Sequence, residues 1–377
     1  MNYNERQCIR CGACVSEAED GGIRLIDGRL IFDFLRAEDW EVIASICPVG
    51  AMETGVCKMR LAIIGTGMIV TELLPILRRV ESVSVEAIYG RSREKAARLA
   101  SEHSIAAVYD DYDVLLQNPA IEFVYIGLIN SLHYEYARRA LEAGKNVIVE
   151  KPFATSSADV EEIISIARAK KLYVFEAITT LHFPNYAAIK ETLPKLGRIR
   201  AVQANYSQYS SRYDKYLAGE ISASFDPKSG GGALADLNIY NLNFIVGLFG
   251  EPKSVEYAAN FGYNGVDTSG VVLMKYDDFT ATSWAAKDSE SPSFVIIQGE
   301  KGWLRTDGKP NALSAFEYCL NGSSVERFEL NRREHRMEQE FEEFAATYAA
   351  RDFDKMSAGL DISLAVQRTF ERAKKSL

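Results

Sequence analysis

Arg60-Leu61-Ala62-Ile63-Ile64-Gly65-Thr66-Gly67-Met68-Ile69 decides the fold. Arg60 to Ile64 reads as a buried strand, Gly65 and Gly67 as a tight turn, and Met68 to Val80 as a helix whose N-terminus faces what the turn holds. Free backbone N–H groups and the positive end of the helix dipole suit that place to a pyrophosphate. A glycine pair after a strand is a weak signal alone. The third position of the G-x-G-x-x-G/A fingerprint is Val70, which predicts looser packing of the helix on its strand.

The surrounding rhythm strengthens the reading. Val83 to Tyr89, Phe123 to Ile126, Asn146 to Val149 and Tyr173 to Glu176 read as further strands, separated by helical stretches such as Arg93 to Glu102 and Leu132 to Ala143. Strand and helix in alternation predict a doubly wound parallel sheet, with ligands beyond the carboxyl ends of the strands. Gly65, Arg91, Asn130 and Lys151 fall at those ends, and Glu150-Lys151-Pro152 places a cation there. After the second strand comes Tyr89-Gly90-Arg91-Ser92-Arg93, with no acid at the strand end to accept from ribose hydroxyls. Arg and Ser suit a 2′-phosphate, which favours NADP over NAD; as plain surface charges, Arg91 and Arg93 would only open a helix.

Four motifs keep one order over more than 300 residues: Gly65-Thr66-Gly67-Met68-Ile69, Asn130-Ser131-Leu132-His133, Val149-Glu150-Lys151-Pro152, and Gly230-Gly231-Gly232-Ala233-Leu234-Ala235-Asp236-Leu237-Asn238-Ile239-Tyr240. On these motifs the chain from about Met59 onward resembles the glucose-fructose oxidoreductase, inositol dehydrogenase and MocA family. The resemblance implies an α/β fold: a Rossmann domain, then a C-terminal α/β domain with a large open, mainly antiparallel sheet. It also implies hydride transfer between NAD(P) and a sugar, cyclitol or diol. The expected cofactor contacts are Gly65, Thr66, Gly67, Met68, Ile69, Arg91, Ser92, Arg93, Asn130, His133, Glu150 and Lys151.

Removing a hydride from a carbinol carbon requires a base for the hydroxyl proton, and Lys151 and Tyr240 are the candidates. Asp236 precedes Tyr240 by four, so on a helix opened by the glycine run both face one side. Most family members carry His where this chain has Tyr240, while a branch resembling dihydrodiol dehydrogenase and glucose-fructose oxidoreductase carries Tyr. A phenol with an ordinary pKa of about 10 needs positive charge nearby, which Lys151 and an oxidised nicotinamide supply. Tyr240 is therefore expected as acid/base, Lys151 as its electrostatic partner and substrate anchor, and Asp236 as an orienting or substrate-binding carboxylate. The bland alternative is a helix stripe with a packed Tyr and a solvated Asp.

Substrate signals are thinner. Leu181 stands where many relatives have an Arg, which argues against a carboxylate gripped there, and His182 fits a substrate contact or a structural role. Tyr206, Tyr209, Tyr213 and Tyr216, with Arg212, Asp214 and Lys215, suit the lining of a polyol pocket or the packing of a strand edge. Arg332 to Glu343 reads as an amphipathic scaffold helix with Phe341, Phe344 and Ala345 on its apolar face.

Before Met59 the pattern changes. Cys8-Ile9-Arg10-Cys11-Gly12-Ala13-Cys14, then Cys47-Pro48, resembles a bacterial ferredoxin with half of its ligands lost. The first run ends in Ala18-Glu19, and the second run's first three ligand places are Ala37, Trp40 and Ile43. One set of four thiolates remains, Cys8, Cys11, Cys14 and Cys47, which implies a single [4Fe-4S] cluster in a small ferredoxin-like α+β module with a hairpin at Asp27-Gly28. Structural zinc is the alternative, although zinc ribbons pair two C-x₂-C knuckles. Cys57 and Cys319 read as ordinary thiols. A cluster moves one electron and nicotinamide takes a hydride, and no flavin signal bridges them. The module thus reads as a structural or oxygen-sensing appendage, a dock for an electron-transfer partner, or a one-electron route.

The expected domains are residues 1–57, 58–180 and 181–377. With 377 residues and 47 % apolar content the chain can fill these cores, and its net charge of −9 argues against nucleic acid or anionic membrane as a partner. A polar N-terminus without a leader and the cysteine usage point to the cytoplasm. An open sheet face calls for a cover, so a homo-oligomer, dimer or tetramer, is expected. A noncatalytic dinucleotide-binding redox sensor stands as the alternative function.

Overall fold

The computed structural model describes residues 2–3, 8–18, 23–26, 29–32, 40–48, 51–53 and 58–377. The chain divides into two compact units, Met1–Met59 and Arg60–Leu377.

In the first unit, β1 (Asn2–Tyr3), α1 (Ala13–Glu17), β2 (Ile23–Ile26), β3 (Arg29–Phe32), α2 (Trp40–Ser45) and β4 (Met52–Glu53) follow in order. β1 pairs antiparallel with β4, and β2 with β3. The expected hairpin turn at Asp27-Gly28 lies outside the described residues, as do Glu19, Ala37 and Cys57. Cys14, Ala18, Ile23 and Ile43 form a small core, against which Leu30 and Cys47 pack.

The second unit opens with a Rossmann domain. β5 (Met59–Ile64), α3 (Met68–Leu77), β6 (Val83–Tyr89), α4 (Arg93–His103), β7 (Ala107–Tyr109), α5 (Tyr112–Leu116), β8 (Phe123–Ile126), α6 (His133–Glu142), β9 (Asn146–Glu150), α7 (Ser157–Lys170) and β10 (Val174–Ala177) alternate along the chain. Their sheet runs β10-β9-β8-β5-β6-β7. Read from β7, that is the 3-2-1-4-5-6 order of a dinucleotide fold, whose switch point lies between β5 and β8. Every residue of β8 and β9 is buried, as expected for parallel strands covered on both faces. β7 is a short strand that the sequence pattern does not reveal.

After α8 (Pro184–Thr192) come β11 (Ile199–Ser207), α9 (Tyr213–Leu217), α10 (Ile239–Phe249), β12 (Ser254–Phe261), β13 (Asp267–Lys275), β14 (Thr280–Ala286), β15 (Phe294–Gly299), β16 (Gly302–Asp307), β17 (Ala315–Leu320), β18 (Glu326–Phe328), α11 (Arg336–Ala349) and α12 (Phe353–Lys375). The eight strands form one sheet, β12-β13-β14-β11-β15-β16-β17-β18, antiparallel except where β11 meets β14. Leu242, Phe244 and Ile245 of α10 press one sheet face into a common core with Val202, Val272, Met274 and Ile297. The opposite face keeps Trp284 (53 %) and Leu273 (40 %) exposed. α12 packs on α7 and β10 of the Rossmann domain and on α10 and β12 of the sheet domain, joining the two. Among the described residues no helix is long and apolar enough to cross a membrane.

Candidate active site

A cleft of about 770 Å³ collects the strand ends of the Rossmann sheet and the start of α10. At the glycine-turn end Gly65 has φ +124° and donates its N–H to the carbonyl of Tyr89 at 2.9 Å, tying the turn to the end of β6. A Cβ on Gly65 would lie 2.5 Å from the Gly127 carbonyl, so only glycine fits. The looser packing expected from Val70 does not occur. Val70 is fully buried, and its room comes from Gly127 after β8, where an added Cβ would lie 2.8 Å from the valine Cγ2. The small residue has moved from the helix to the neighbouring strand.

Gly65, Thr66, Gly67, Met68 and Ile69 all line the cleft, and the first turn of α3 carries no acid to oppose its dipole. Arg212 reaches over this turn from the sheet domain, its Nη2 2.6 Å from the Met68 Sδ and its Nη1 3.2 Å from the Ser224 Oγ. Beyond β6, Arg91 and Ser92 line the cleft together with Lys95, which the sequence did not single out. Ser92 also caps α4, accepting from the Lys95 N–H at 3.3 Å. Arg93 turns away from the cleft to Asp110 at 3.1 Å.

Asn130 lines the cleft and donates to the Gly230 carbonyl at 2.9 Å, joining the Rossmann domain to the glycine run. His133 does not reach the cleft. It is fully buried, with Nδ1 2.8 Å from the Pro152 carbonyl and Nε2 3.1 Å from the Leu128 carbonyl. Burial pushes its pKa down despite both carbonyls, so its part is to hold the loops after β8 and β9 in place.

At the other end Lys151 donates from Nζ to the Asp236 carbonyl at 3.0 Å and to its Oδ1 at 3.3 Å, and lies 4.8 Å from the centroid of the Tyr240 ring. Glu150, behind it, accepts from the Tyr125 hydroxyl at 2.7 Å and from the Lys151 N–H at 3.2 Å. Burial alone would lower the Lys151 ammonium, but Tyr240, Asp236 and Glu150 outweigh it and raise its pKa. Burial raises the Tyr240 phenol, opposed by Lys151 and by Arg336.

Asp236 sits on a π-turn, Leu234–Asn238, that leads into α10, so the expected plain helix is wider at this point. Asp236 and Tyr240 nonetheless both line the cleft. Asp267 fixes the entry, accepting from the Leu234 N–H at 2.7 Å and the Tyr257 hydroxyl at 2.8 Å. At Gly232, φ +125°, a Cβ would run into that carboxylate, which accounts for the glycine.

Lys287, immediately after β14, was not anticipated. It is fully buried, its Nζ 2.8 Å from the Asp236 Oδ2 and 4.1 Å from the Phe225 ring centroid, and it donates to the Ser224 carbonyl. Burial opposes ionisation of Asp236, but Lys151 and Lys287 outweigh it and hold the carboxyl well below the usual range. One signal could have found Lys287: Ala281, Ser283 and Ala285 are the inward residues of β14, and 287 continues their phase.

Arg336, read as scaffold, lines the cleft with Glu72, its Nη2 2.6 Å from the Glu72 Oε1. The rest of that helix is scaffold, with Phe341, Phe344 and Ala345 buried. Tyr206 lines the cleft 5.9 Å from Tyr240, whereas Tyr216 stacks between Phe225 and Tyr263 and Tyr209 donates to Asp214. His182 pairs with Glu343 at 2.8 Å, edge-on to Phe344, and lies outside the cleft.

In the first unit Cys8, Cys11, Cys14 and Cys47 line one small cavity with Gly12 and Leu30. The Arg10 N–H points at the Cys8 sulfur at 3.3 Å and the Ala51 N–H at the Cys47 sulfur at 3.2 Å. Burial and the neighbouring Cys8 raise the Cys14 thiol. Among the described residues no three His, Cys, Asp or Glu side chains are grouped closely enough to hold a metal ion.

Comparison with known proteins agrees with this geometry. Residues 59–178 match the sequence model of the oxidoreductase family with an NAD-binding Rossmann fold, and residues 187–305 that of the GFO/IDH/MocA C-terminal domain. The chain is 33 % identical to scyllo-inositol 2-dehydrogenase (NADP(+)) of Bacillus subtilis, covering 85 % of this chain and 97 % of that one. It is 32 % identical to trans-1,2-dihydrobenzene-1,2-diol dehydrogenase of Sus scrofa over 65 % of this chain and 72 % of the other. A 3-ketoreductase from Actinomadura kijaniata shares the fold at a TM-score of 0.72 and 22 % identity, covering 85 % of this chain and 98 % of that one. With its cleft at the switch point of a dinucleotide sheet, the chain belongs to the GFO/IDH/MocA family of NAD(P)-dependent oxidoreductases.

Proposed function

We propose that the protein moves a hydride between NADP and the carbinol or carbonyl carbon of a sugar, cyclitol or vicinal diol, with Tyr240 as the proton-transferring group. The observation that carries this is Lys151 lying 4.8 Å from the Tyr240 ring centroid at the inner wall of a cleft whose other end is the glycine turn. When bound, the nicotinamide supplies the acceptor or donor of the two-electron hydride. In oxidation the hydroxyl proton passes to the Tyr240 phenolate as the C–H electron pair leaves; in reduction the phenol returns it. Lys151 stabilises the phenolate and anchors the substrate oxygen. Asp236, held ionised, orients Lys151 and does not itself take the proton.

The relatives that act on scyllo-inositol and on a dihydrodiol support a polyhydroxylated substrate. Arg91, Ser92 and Lys95 at the adenosine end support NADP over NAD. Turnover of inositols, sugars and diols with each dinucleotide in parallel tests this reading. Lys151→Met and Tyr240→Phe should each lower kcat by about two orders of magnitude or more while leaving dinucleotide affinity within a few-fold. Undiminished turnover in both variants would overturn the assignment. A noncatalytic sensor would bind dinucleotide and turn over no member of the panel.

The four thiols around one cavity favour a second component, a [4Fe-4S] cluster on Cys8, Cys11, Cys14 and Cys47. Such a cluster supplies one-electron chemistry, for sensing or for an electron-transfer partner. Cysteine usage of this kind suits the cytoplasm. The outer face of the large sheet, where Trp284 and Leu273 are exposed, fits a second copy of the chain, as a dimer or tetramer.

A further inference from the structure

The mechanism above gives no part to Lys287, a buried cation beside Asp236. Lys287 is among the most deeply buried side chains of the described chain, at 1 % exposure, and its Nζ meets a single carboxylate, Asp236, at 2.8 Å. Asp236 offers its other oxygen to Lys151 at 3.3 Å. A fully buried lysine is costly unless it is paired, and a surface salt bridge would have served stability as well.

We propose that Lys287 is a positioning residue for hydride transfer, neutralising Asp236 from behind so that the charge of Lys151 acts uncompensated on Tyr240. This rests on the reading of Tyr240 as the proton-transferring group. With Lys151 and Asp236 alone, the pair would carry no net charge beside the phenol. Adding Lys287 makes the trio +1, and it is this sum that a phenolate meets. The remaining charged groups facing Tyr240 are Glu150 and Arg336, which are of opposite sign, and the Tyr206 phenol. Lys287 itself also feels Asp267, which is anchored by Leu234 and Tyr257. Both lysines thus act through one carboxylate: Lys151 from the cleft, Lys287 from the core.

A purely structural role is the rival, because Lys287 also donates to the Ser224 carbonyl and covers the Phe225 ring. Such a role would alter stability and leave the ionisation of Tyr240 where it is. The test is therefore the tyrosinate absorbance titration of Tyr240, read as the difference between each enzyme and its own Tyr240→Phe counterpart with NADP bound. The pH profile of kcat/KM in the oxidative direction is measured alongside, with scyllo-inositol as the probe.

Lys287→Met should move the Tyr240 titration, and the rising limb of the profile, upward by about one pH unit, since one nearby positive charge is lost. Lys287→Arg should restore the wild-type position. Asp236→Asn combined with Lys287→Met removes one charge of each sign, returns the sum to +1, and should bring the titration back to the wild-type pH. Should the single variant fail to fold, the double variant carries the test alone. A titration in Lys287→Met that overlays the wild type, or one in the double variant displaced by about a unit in either direction, would overturn the proposal. Because the titration needs no turnover, its outcome is separable from that of the functional reading: a Tyr240→Phe enzyme that still turns over sinks the reading of Tyr240. An inactive one with an unmoved Lys287→Met titration sinks this inference alone.

Discussion

Gly65 and Gly67 look equivalent in the sequence, and the structure gives them different tasks. Gly65 sits at φ +124° against the Gly127 carbonyl, whereas Gly67 has φ −82° and open space around its Cα. Gly65→Ala should therefore cost about 2 kcal/mol or more in folding, from the positive φ and the backbone clash together. Gly67→Ala should leave stability within about 0.5 kcal/mol, yet weaken dinucleotide binding, because its methyl would project into the space a pyrophosphate needs. Denaturant unfolding and calorimetric titration separate the two; equal losses of stability would refute the distinction. This is also where the sequence reading reached its limit. It named Lys151, Asp236, Tyr240 and the turn from contiguous motifs, and the structure gathers them in one cleft. It assigned His133 and Arg93 to the cofactor because one-dimensional proximity to a motif does not say which way a side chain turns. It missed Lys287 and Arg336 because Lys287 reaches Asp236 from the sheet domain and Arg336 reaches the cleft from α11, both far along the chain.

Elements were legible in proportion to how regularly they are buried. The five longer Rossmann strands are almost wholly apolar, and each was read within a few residues of its position. β18, with two of its three residues exposed, shows no alternation to read, and α12 hides Ser363, Gln367 and Thr369 in its buried stripe. β10 conceals a further polar position. Glu176 on this strand is buried, accepts from the Phe153 N–H at 3.0 Å just past Lys151-Pro152, and is pushed up to about 7 by burial. Its folded-state pKa thus lies above the ordinary 4.5, so the native state holds a proton that the unfolded chain releases between those values. The stability this contributes is fully present below about pH 4.5 and is lost as pH rises through about 7, by about 3 kcal/mol at most. Glu176→Gln keeps an oxygen for the Phe153 N–H and removes the titration. Between pH 5 and pH 8 the wild type should therefore lose more stability than the variant, even though Glu150 and Glu340 are raised by burial in both. Parallel pH dependences of Tm would show that Glu176 stays ionised in the fold.

On the scale of the whole molecule, the chemistry divides as the chain does. Each residue proposed to meet nicotinamide and substrate lies within Arg60–Leu377, and Cys8, Cys11, Cys14 and Cys47 lie within Met1–Met59. Hydride transfer moves an electron pair between two carbons and needs no one-electron relay, and the second unit holds Lys151, Asp236, Tyr240 and Lys287, the residues proposed for it. Loss of the proposed cluster should therefore spare turnover. Protein prepared without oxygen is expected to carry about four irons and as many acid-labile sulfides per chain. Cys14→Ser, which removes the most buried of the four thiols, should lower both and leave kcat within a few-fold. Zinc in place of iron, without sulfide, would replace the cluster with a structural site. Retained iron with turnover abolished in Cys14→Ser would mean that the two units do not work independently, and that the cysteine module takes part in the reaction itself.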